Sequence, residues 1–328
     1  MEKMPTRRGS HRARPYATLL VTERKLTRED EVPFRSLPAQ PPINPRADVY
    51  VETALRLSRL AAMTTRCALD IPYGPDPVQR LDIYLPERAD LKDLPIFVNI
   101  HGGGWTHGYK EWMALNAPAI VAFPAIYVSI GYSLSPTDKR LRLKALKDCL
   151  GATAWIVKNI ARYGGDPHRI HVGGHCTGGH LASLMVLRHD LLDDFGLAPN
   201  TLKSCFPYSG VYDVRDPSIY GVANYDGLGS TVLETPEDAA STSPIAFLAG
   251  NRTPFFVTWS ENDSAICKAQ GPAFAVALQA AGSPVENHMF DLLDHFWIHI
   301  DQQRPVNVWT RTLKAWMAGS AAVRASSS

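Results

Sequence analysis

The feature of this sequence that most constrains its fold is a series of short, continuous apolar runs separated by amphipathic segments. Examples are IFVNI at 96–100 and AIYVSI at 125–130. Such runs are typical of strands buried on both faces of a parallel sheet, whereas the half-polar run LDIYL at 81–85 suits an antiparallel edge. Strands are predicted over residues 68–72, 79–85, 95–101, 125–131, 170–174, 203–209, 254–260 and 285–290.

Helical periodicity fills the intervals between these runs. Within 141–162, leucines and isoleucines recur every three to four residues, which is the stripe of an amphipathic helix. Further helices are predicted over 47–63, 181–192, 273–281 and 305–317. Alternation of strands and helices predicts an α/β fold with a doubly wound, mostly parallel sheet covered by helices on both faces.

The pattern predicts one domain over residues 47–320, with a flexible tail at 321–328. Residues 1–46 carry ten Lys and Arg against five Asp and Glu and several prolines, so we expect an N-terminal extension that is extended or partly disordered. An Arg-rich transit peptide is the alternative, whereas no apolar stretch follows as in a secretory signal. Residues 210–250, rich in Gly, Pro, Asp and Ser, are predicted to form a short cap-like insertion.

Composition narrows the classes of function. Residues 47–328 hold 24 Lys and Arg and 27 Asp and Glu, so a nucleic-acid partner is not expected. The sequence contains no run of 18 apolar residues, so a membrane-spanning helix is not expected. The five cysteines are odd in number and form no CxxC, which indicates free thiols in a reducing, cytoplasmic setting. A homodimer is compatible with these features.

The sharpest local signal is Gly174-His175-Cys176-Thr177-Gly178, between an apolar strand and an apolar-periodic helix. A nucleophile elbow needs this context, because the nucleophile occupies a strained turn whose neighbours two residues away must be small. The following helix N-terminus favours negative charge on the nucleophile. Cys176 is therefore the candidate nucleophile, and a buried cysteine in a glycine turn is the alternative.

A second signal is His101-Gly102-Gly103-Gly104-Trp105, directly after the strand at 95–101. Consecutive glycines let backbone N–H groups turn toward a ligand, so the loop can supply one half of an oxyanion hole. The N–H of Thr177 would supply the other half. We expect Trp105 and His175, which packs at the elbow, to contact the substrate.

The acid and base are sought after the last two strands. Asp263, in the loop SENDS, is the candidate acid, with Glu261 as the alternative. His295, in LDHF, is the candidate base, because it completes the chain order nucleophile, acid, base; His288 and His299 are its competitors. A zinc site is not expected, because the neighbouring candidates His171, His175, Cys176 and His180 match no common ligand spacing.

In order along the chain, HGGGW, GYSLSP, YGGDPHRIHVGGHCTGGHLA, SGVYD, SENDS and LDHF resemble the esterase/lipase branch of the α/β-hydrolase superfamily. The sequence is most similar to kynurenine formamidase-like and carboxylesterase-like members, over about residues 70–318. The resemblance implies the α/β-hydrolase fold, Cys176 in place of the usual serine, Asp263 as acid and His295 as base. It also implies Gly103, Gly104 and Thr177 as oxyanion donors, with no cofactor or metal.

The expected activity is hydrolysis of a carboxylic ester, lactone or related acyl bond of a small-molecule substrate, through an acyl-enzyme on Cys176. Because a thiolate is a good leaving group, activated esters, lactones and thioesters are favoured over plain amides. Three alternatives remain. The same triad could serve an acyltransferase, lyase or cyclase; Cys176 could be an engineered replacement of a serine; or the chain could be a non-catalytic binding protein.

Overall fold

A computed structural model describes residues 33–34, 36–134, 141–215 and 236–319 of the 328-residue chain. The compact unit to which they belong begins at Pro33. Residues 1–32, the predicted tail 321–328 and the central part of the predicted cap, 216–235, lie outside the described residues. In the described part of the chain, no helix is long and apolar enough to cross a membrane.

Eight strands form one sheet with the order β1-β2-β4-β3-β5-β6-β7-β8. Both pairings of β2 are antiparallel, and every other pairing is parallel. The strands are β1 (Arg66–Pro72), β2 (Arg80–Leu85), β3 (Leu94–Ile100), β4 (Ile126–Ile130), β5 (Gly165–His175), β6 (Leu202–Tyr208), β7 (Phe255–Asn262) and β8 (Val285–Asp294). The predicted mostly parallel sheet with an antiparallel edge is confirmed.

The helices connect the strands and cover the sheet. They are α1 (Pro45–Thr64), α2 (Ala117–Val121), α3 (Leu141–Asn159), α4 (Thr177–Leu187), α5 (Pro236–Thr242), α6 (Ala265–Ala280), α7 (Trp297–Asp301) and α8 (Val308–Met317). A 3₁₀ helix, Lys110–Asn116, follows the glycine loop. Seven of the eight strands and the long helices α1 and α3 begin within two residues of the predicted position, whereas β5 begins five residues early.

Helix α4 begins at Thr177 rather than 181, and two other helix starts also differ from the prediction. Helix α6 begins at Ala265 rather than 273, because Ser264 accepts a hydrogen bond from the N–H of Cys267 and starts a helix that continues through Pro272. Helix α8 begins at Val308 rather than 305, because Asn307 caps it by accepting from the N–H of Trp309 at 2.7 Å. In both cases a side-chain cap sets the first turn.

Two apolar layers enclose the sheet, and β3 shows how the sequence divides between them. Ile96, Val98 and Ile100 face one layer, with helices α3, α4 and α6. Phe97 faces the other, with α1 and α8, and is fully buried. Burial on both faces explains why these strands read as continuous apolar runs. The carboxyl ends of the parallel strands meet at one edge, where the candidate functional residues lie.

Candidate active site

The turn that joins β5 to α4 holds Cys176 in a strained backbone conformation, with φ 54° and ψ −119°. Positive φ is uncommon for a residue with a side chain and marks a site held by its surroundings. A Cβ on Gly178 would lie 2.0 Å from the carbonyl oxygen of Ile100, and one on Gly174 would lie 2.4 Å from the carbonyl carbon of Gly178. The two glycines therefore allow the close approach that the turn requires.

The Cys176 side chain is buried but surrounded by hydrogen-bond donors. Burial raises the pKa of its thiol, yet the charge of His295 and hydrogen bonds from His295 and the N–H groups of Thr177 and Gly103 outweigh it, so the pKa lies below the usual value. The two backbone donors are two of the three predicted for the oxyanion hole. The third, Gly104, has φ 64° and is not among the donors that lower this pKa.

His295 and Asp263 lie together at the ends of β8 and β7. His295 Nδ1 is 2.6 Å from Asp263 Oδ1. The carboxylate also accepts hydrogen bonds from Ser209 Oγ at 2.5 Å, the Ser264 N–H at 2.8 Å and the Ser260 N–H at 3.2 Å. An ionised carboxylate can only accept, so Nδ1 carries a proton and Nε2 is left for Cys176. The structure thus brings the three residues predicted as nucleophile, acid and base into one hydrogen-bonded chain.

The electrostatics of this chain favour a thiolate and an imidazolium. Burial lowers the pKa of His295, but the charges of Cys176 and Asp263 and its bonds to both raise it well above the usual value. Burial raises the pKa of Asp263, and the charge and hydrogen bond of His295 bring it below the usual value. Opposite charges in contact stabilise each other's ionised forms. The arrangement therefore favours a thiolate on Cys176 with a protonated His295 beside it.

The alternative acid and bases lie elsewhere. Glu261 accepts a hydrogen bond from the N–H of Leu292 at 2.9 Å on the protein surface. His288 lies within β8 and packs against the ring of Phe290. His299 is buried in α7, where its Nδ1 is 2.9 Å from the hydroxyl of Tyr50. None of the three shares the hydrogen-bonded chain of Cys176.

Trp105 and His175, the two residues expected to contact the substrate, are both buried. Trp105 is 3% exposed and its Nε1 is 3.4 Å from His180 Nδ1. His175 is 2% exposed and its Nε2 is 2.6 Å from the backbone oxygen of His295. Both rings are thus enclosed by protein atoms, and His175 contacts the loop that carries the candidate base. Their contact with a substrate stays a prediction.

Two residues around the acid were not identified from the sequence. Ser209, at φ 49°, donates to Asp263 and accepts from the Cys267 thiol at 3.0 Å. Cys267 Sγ is 3.9 Å from His295 Nδ1. Ser209 opens the SGVYD segment, but nothing local to it indicates the partner 54 residues away. Both roles depend on long-range packing.

A metal could in principle be held by one group of side chains among the described residues. Single ligand atoms of Asp263, Cys267 and His295 lie within 4.8 Å of one another. Burial and the nearby Asp263 charge raise the pKa of Cys267 to about 11, which favours the neutral thiol. His295 Nδ1 and Asp263 already bond each other at 2.6 Å. The donors therefore fit the hydrogen-bonded chain better than a metal centre.

An apolar groove of about 380 Å³ lies between α1 and the start of α7. The salt bridge between Arg46 and Asp294, at 2.7 Å, lies at this groove. Asp294 and Phe296 immediately flank His295, so the groove adjoins the candidate base. It is lined by Pro45, Arg46, Val49, Tyr50, Thr53, Asp294, Phe296, Trp297 and Ile300.

Comparison with known proteins relates this geometry to a family. Residues 81–278 match the model of the BD-FAE family. The chain is 34% identical to the esterase LipQ of Mycobacterium tuberculosis over 254 residues, which are 71% of this chain and 59% of LipQ. It is 28% identical to kynurenine formamidase of Danio rerio over 244 residues, which are 73% of this chain and 78% of that protein. The chain thus spans less than two thirds of LipQ.

Solved structures show the same fold. An esterase from Pyrobaculum calidifontis superposes with a TM-score of 0.65 over 88% of this chain and 94% of its own, at 21% identity. The predicted α/β-hydrolase fold is confirmed by this likeness together with the sheet topology.

Proposed function

We propose that this chain, which belongs to the BD-FAE family, hydrolyses a carboxylic ester or related acyl compound through a covalent intermediate on Cys176. The observation that carries the proposal is the hydrogen-bonded chain of Cys176, His295 and Asp263 at a strained strand–helix turn. The names of similar proteins, an esterase and a kynurenine formamidase, support acyl chemistry of this kind.

The first half of the reaction is acylation. The Cys176 thiolate attacks the carbonyl carbon, and the carbonyl oxygen takes up the negative charge. The N–H groups of Gly103 and Thr177, which hydrogen-bond Cys176, are the proposed donors to that oxyanion, with Gly104 as a further candidate donor. When the intermediate collapses, the carbon–oxygen bond to the leaving group breaks, and the alkoxide takes the proton from Nε2 of His295. A thioester on Cys176 and a neutral His295 remain.

The second half is hydrolysis of the thioester. Neutral His295 removes a proton from water as the oxygen attacks the acyl carbon, and the same donors bind the new oxyanion. The carbon–sulfur bond then breaks, which releases the acid and restores the thiolate beside the imidazolium. Because a thiolate leaves more readily than an alkoxide, acylation favours substrates with good leaving groups. Aryl esters, lactones and thioesters are therefore the proposed substrate class.

The test is turnover of p-nitrophenyl esters from acetate to octanoate by the wild type, Cys176→Ala and Cys176→Ser. We expect turnover by the wild type, loss of at least about a thousandfold in Cys176→Ala, and a trapped acyl group on Cys176 by mass spectrometry. Absence of turnover with every ester would favour a non-catalytic binding protein.

Two further arms separate the remaining alternatives. A native cysteine site predicts that Cys176→Ser loses most activity, whereas a large gain would identify a site built around serine. Addition of an acceptor alcohol or amine distinguishes hydrolysis from acyl transfer. If the acyl product appears only on the acceptor, the chain is a transferase.

A further inference from the structure

We propose that His175 is a positioning residue that ties the strand carrying the nucleophile to the loop carrying the base. The proposal rests on the proposed function, because it concerns how that site keeps its geometry. His175 is the last residue of β5 and directly precedes Cys176. Its Nε2 lies 2.6 Å from the backbone oxygen of His295, 120 residues further along the chain. The side chain of His175 therefore links the backbone next to Cys176 to the backbone of His295.

The protonation of His175 follows from its contacts. A carbonyl oxygen can only accept, so Nε2 carries the proton. In the neutral ring Nδ1 is then a bare acceptor, and it is buried without a hydrogen-bond partner among the described residues. It faces Gly102, where a Cβ would lie 3.3 Å from Nδ1 and 2.8 Å from the Cβ of Cys176. A second proton, on Nδ1, would leave a buried N–H group without an acceptor.

The surroundings of His175 keep it neutral. Its ring packs against those of Tyr50, Tyr208, His295 and His299. Burial, followed by the charge of His295, lowers its pKa well below the usual value. His175 is therefore a permanent neutral donor and adds no positive charge beside the imidazolium of His295.

The ring stacked beneath His175 is itself fixed. His299 lies 5.6 Å away at an interplanar angle of 17°. Asn116 donates from Nδ2 to the backbone oxygen of His299, and its Oδ1 lies 2.8 Å from His299 Nε2. His299 Nε2 must then donate, so its Nδ1 accepts from the Tyr50 hydroxyl. Burial lowers the pKa of His299 to about 3, so it too is neutral. The stack cannot readily rotate, and His175 has one orientation.

The consequence is that His295 is held at two points. Asp263 fixes its ring through Nδ1, and His175 fixes its backbone. A buried acceptor without a partner is destabilising, and the bond that Nε2 of His175 makes to the His295 oxygen offsets this. Without that bond the backbone of His295 loses one restraint, and its Nε2 can move away from the sulfur of Cys176.

The experiment compares His175→Leu, which removes the donor, with His175→Gln, whose terminal amide reaches about as far as Nε2. The readouts are the pH dependence of Cys176 alkylation by iodoacetamide and the kcat and KM for an aryl ester. For His175→Leu we expect the alkylation profile to shift upward by about one pH unit. We also expect kcat to fall about 10–100-fold with KM nearly unchanged, because small misplacements of reacting groups slow the chemical step more than they weaken binding. His175→Gln should recover most of both.

The matched control is His171→Leu. His171 lies on the same face of β5, is 5% exposed, and bonds Ser204 Oγ at 2.6 Å away from the site. This variant should lose stability but keep the wild-type alkylation profile. If His175→Leu does not fold, His175→Asn serves instead, because its shorter amide cannot reach the His295 oxygen.

Three results would overturn the positioning role: an unshifted profile in His175→Leu or His175→Asn, a glutamine variant as impaired as the leucine variant, or an equal shift in His171→Leu. Alkylation needs no substrate, so it decides the role of His175 even if no ester is turned over.

Discussion

At the scale of single residues, the protonation of five thiols separates one cysteine from the rest. Burial raises the pKa of Cys149 and Cys205 well above the usual value, and burial and the charge of Asp82 raise that of Cys67. Only Cys176 has a pKa that is lowered, because His295 and two backbone N–H groups stabilise its thiolate. Reactivity should therefore follow electrostatics rather than exposure, since the thiolate is the reactive form.

We predict that brief treatment with iodoacetamide at pH 6–7 labels Cys176 before the other four cysteines. Cys67 is the internal control, because it is the more exposed thiol but has a raised pKa. The rate at Cys176 should persist below the pH at which ordinary thiols react and fall only as acid protonates the thiolate. Peptide mapping by mass spectrometry gives the order of labelling. Earlier labelling of Cys67 or Cys267 would contradict the assignment of the nucleophile.

At the scale of elements, the turn between β5 and α4 depends on contact between backbones. The Cα of Gly178 lies so close to the end of β3 that a Cβ would be 2.0 Å from the backbone oxygen of Ile100. Gly151, in α3, is different, because a Cβ there would meet only Phe195, at 3.8 Å. The same substitution therefore has opposite consequences in two helices.

We predict that Gly178→Ala lowers the free energy of unfolding by about 3 kcal/mol or more, because the strand and helix must separate. Gly151→Ala should raise it by about 0.5–1 kcal/mol, since alanine is the better helix former. Urea denaturation of both variants measures the difference. Equal stability of the two would show that the close approach at the turn is easily relaxed.

Element boundaries show where local pattern is sufficient. Strands β3 and β4 were predictable because burial on both faces imposes a continuous apolar run on each of them. The start of α6 was not, because Pro272 reads as a breaker while Ser264 caps a helix that runs through it. A cap is a single side-chain hydrogen bond and does not change the apolar periodicity of the sequence. It is therefore hard to recognise when a proline follows within the same helix.

At the scale of the whole molecule, α1 is part of the folded body and begins two residues before the predicted helix start at 47. Asn44 caps α1, so the helix begins at Pro45. Its Tyr50 stacks on Phe296 with ring centroids 5.0 Å apart, and Ser58 accepts from the N–H of Leu115 at 2.9 Å. Helix α1 therefore packs against the loop that carries His295 and against the segment that follows the glycine loop.

We predict that deletion of residues 1–32 changes the melting temperature by no more than about 2 °C, because the compact unit begins at Pro33. Deletion of residues 1–64 should lower it by at least about 10 °C or prevent folding. It exposes the apolar partners of α1, and each large buried side chain contributes about 1.5–3 kcal/mol. Thermal unfolding followed by circular dichroism compares the two chains. A large loss in the shorter deletion would instead place part of residues 1–32 in the core.

The sequence by itself determined the features that depend on residues close together along the chain. Apolar periodicity determined the α/β class and the number of strands, and the glycines around Cys176 determined the position of the elbow. Chain order after the last two strands pointed to Asp263 and His295. The inferences about the fold class and the turn hold because burial and tight turns restrict the residue types at neighbouring positions.

Only the tertiary structure decided which distant groups meet. It placed Ser209 on the carboxylate of Asp263, Cys267 beside His295, and His175 on the backbone of His295. The physical reason is that a hydrogen bond between residues 54 or 120 positions apart leaves no periodicity in the chain. Such contacts are set by the order of strands in the sheet, where the ends of β5, β6, β7 and β8 lie side by side.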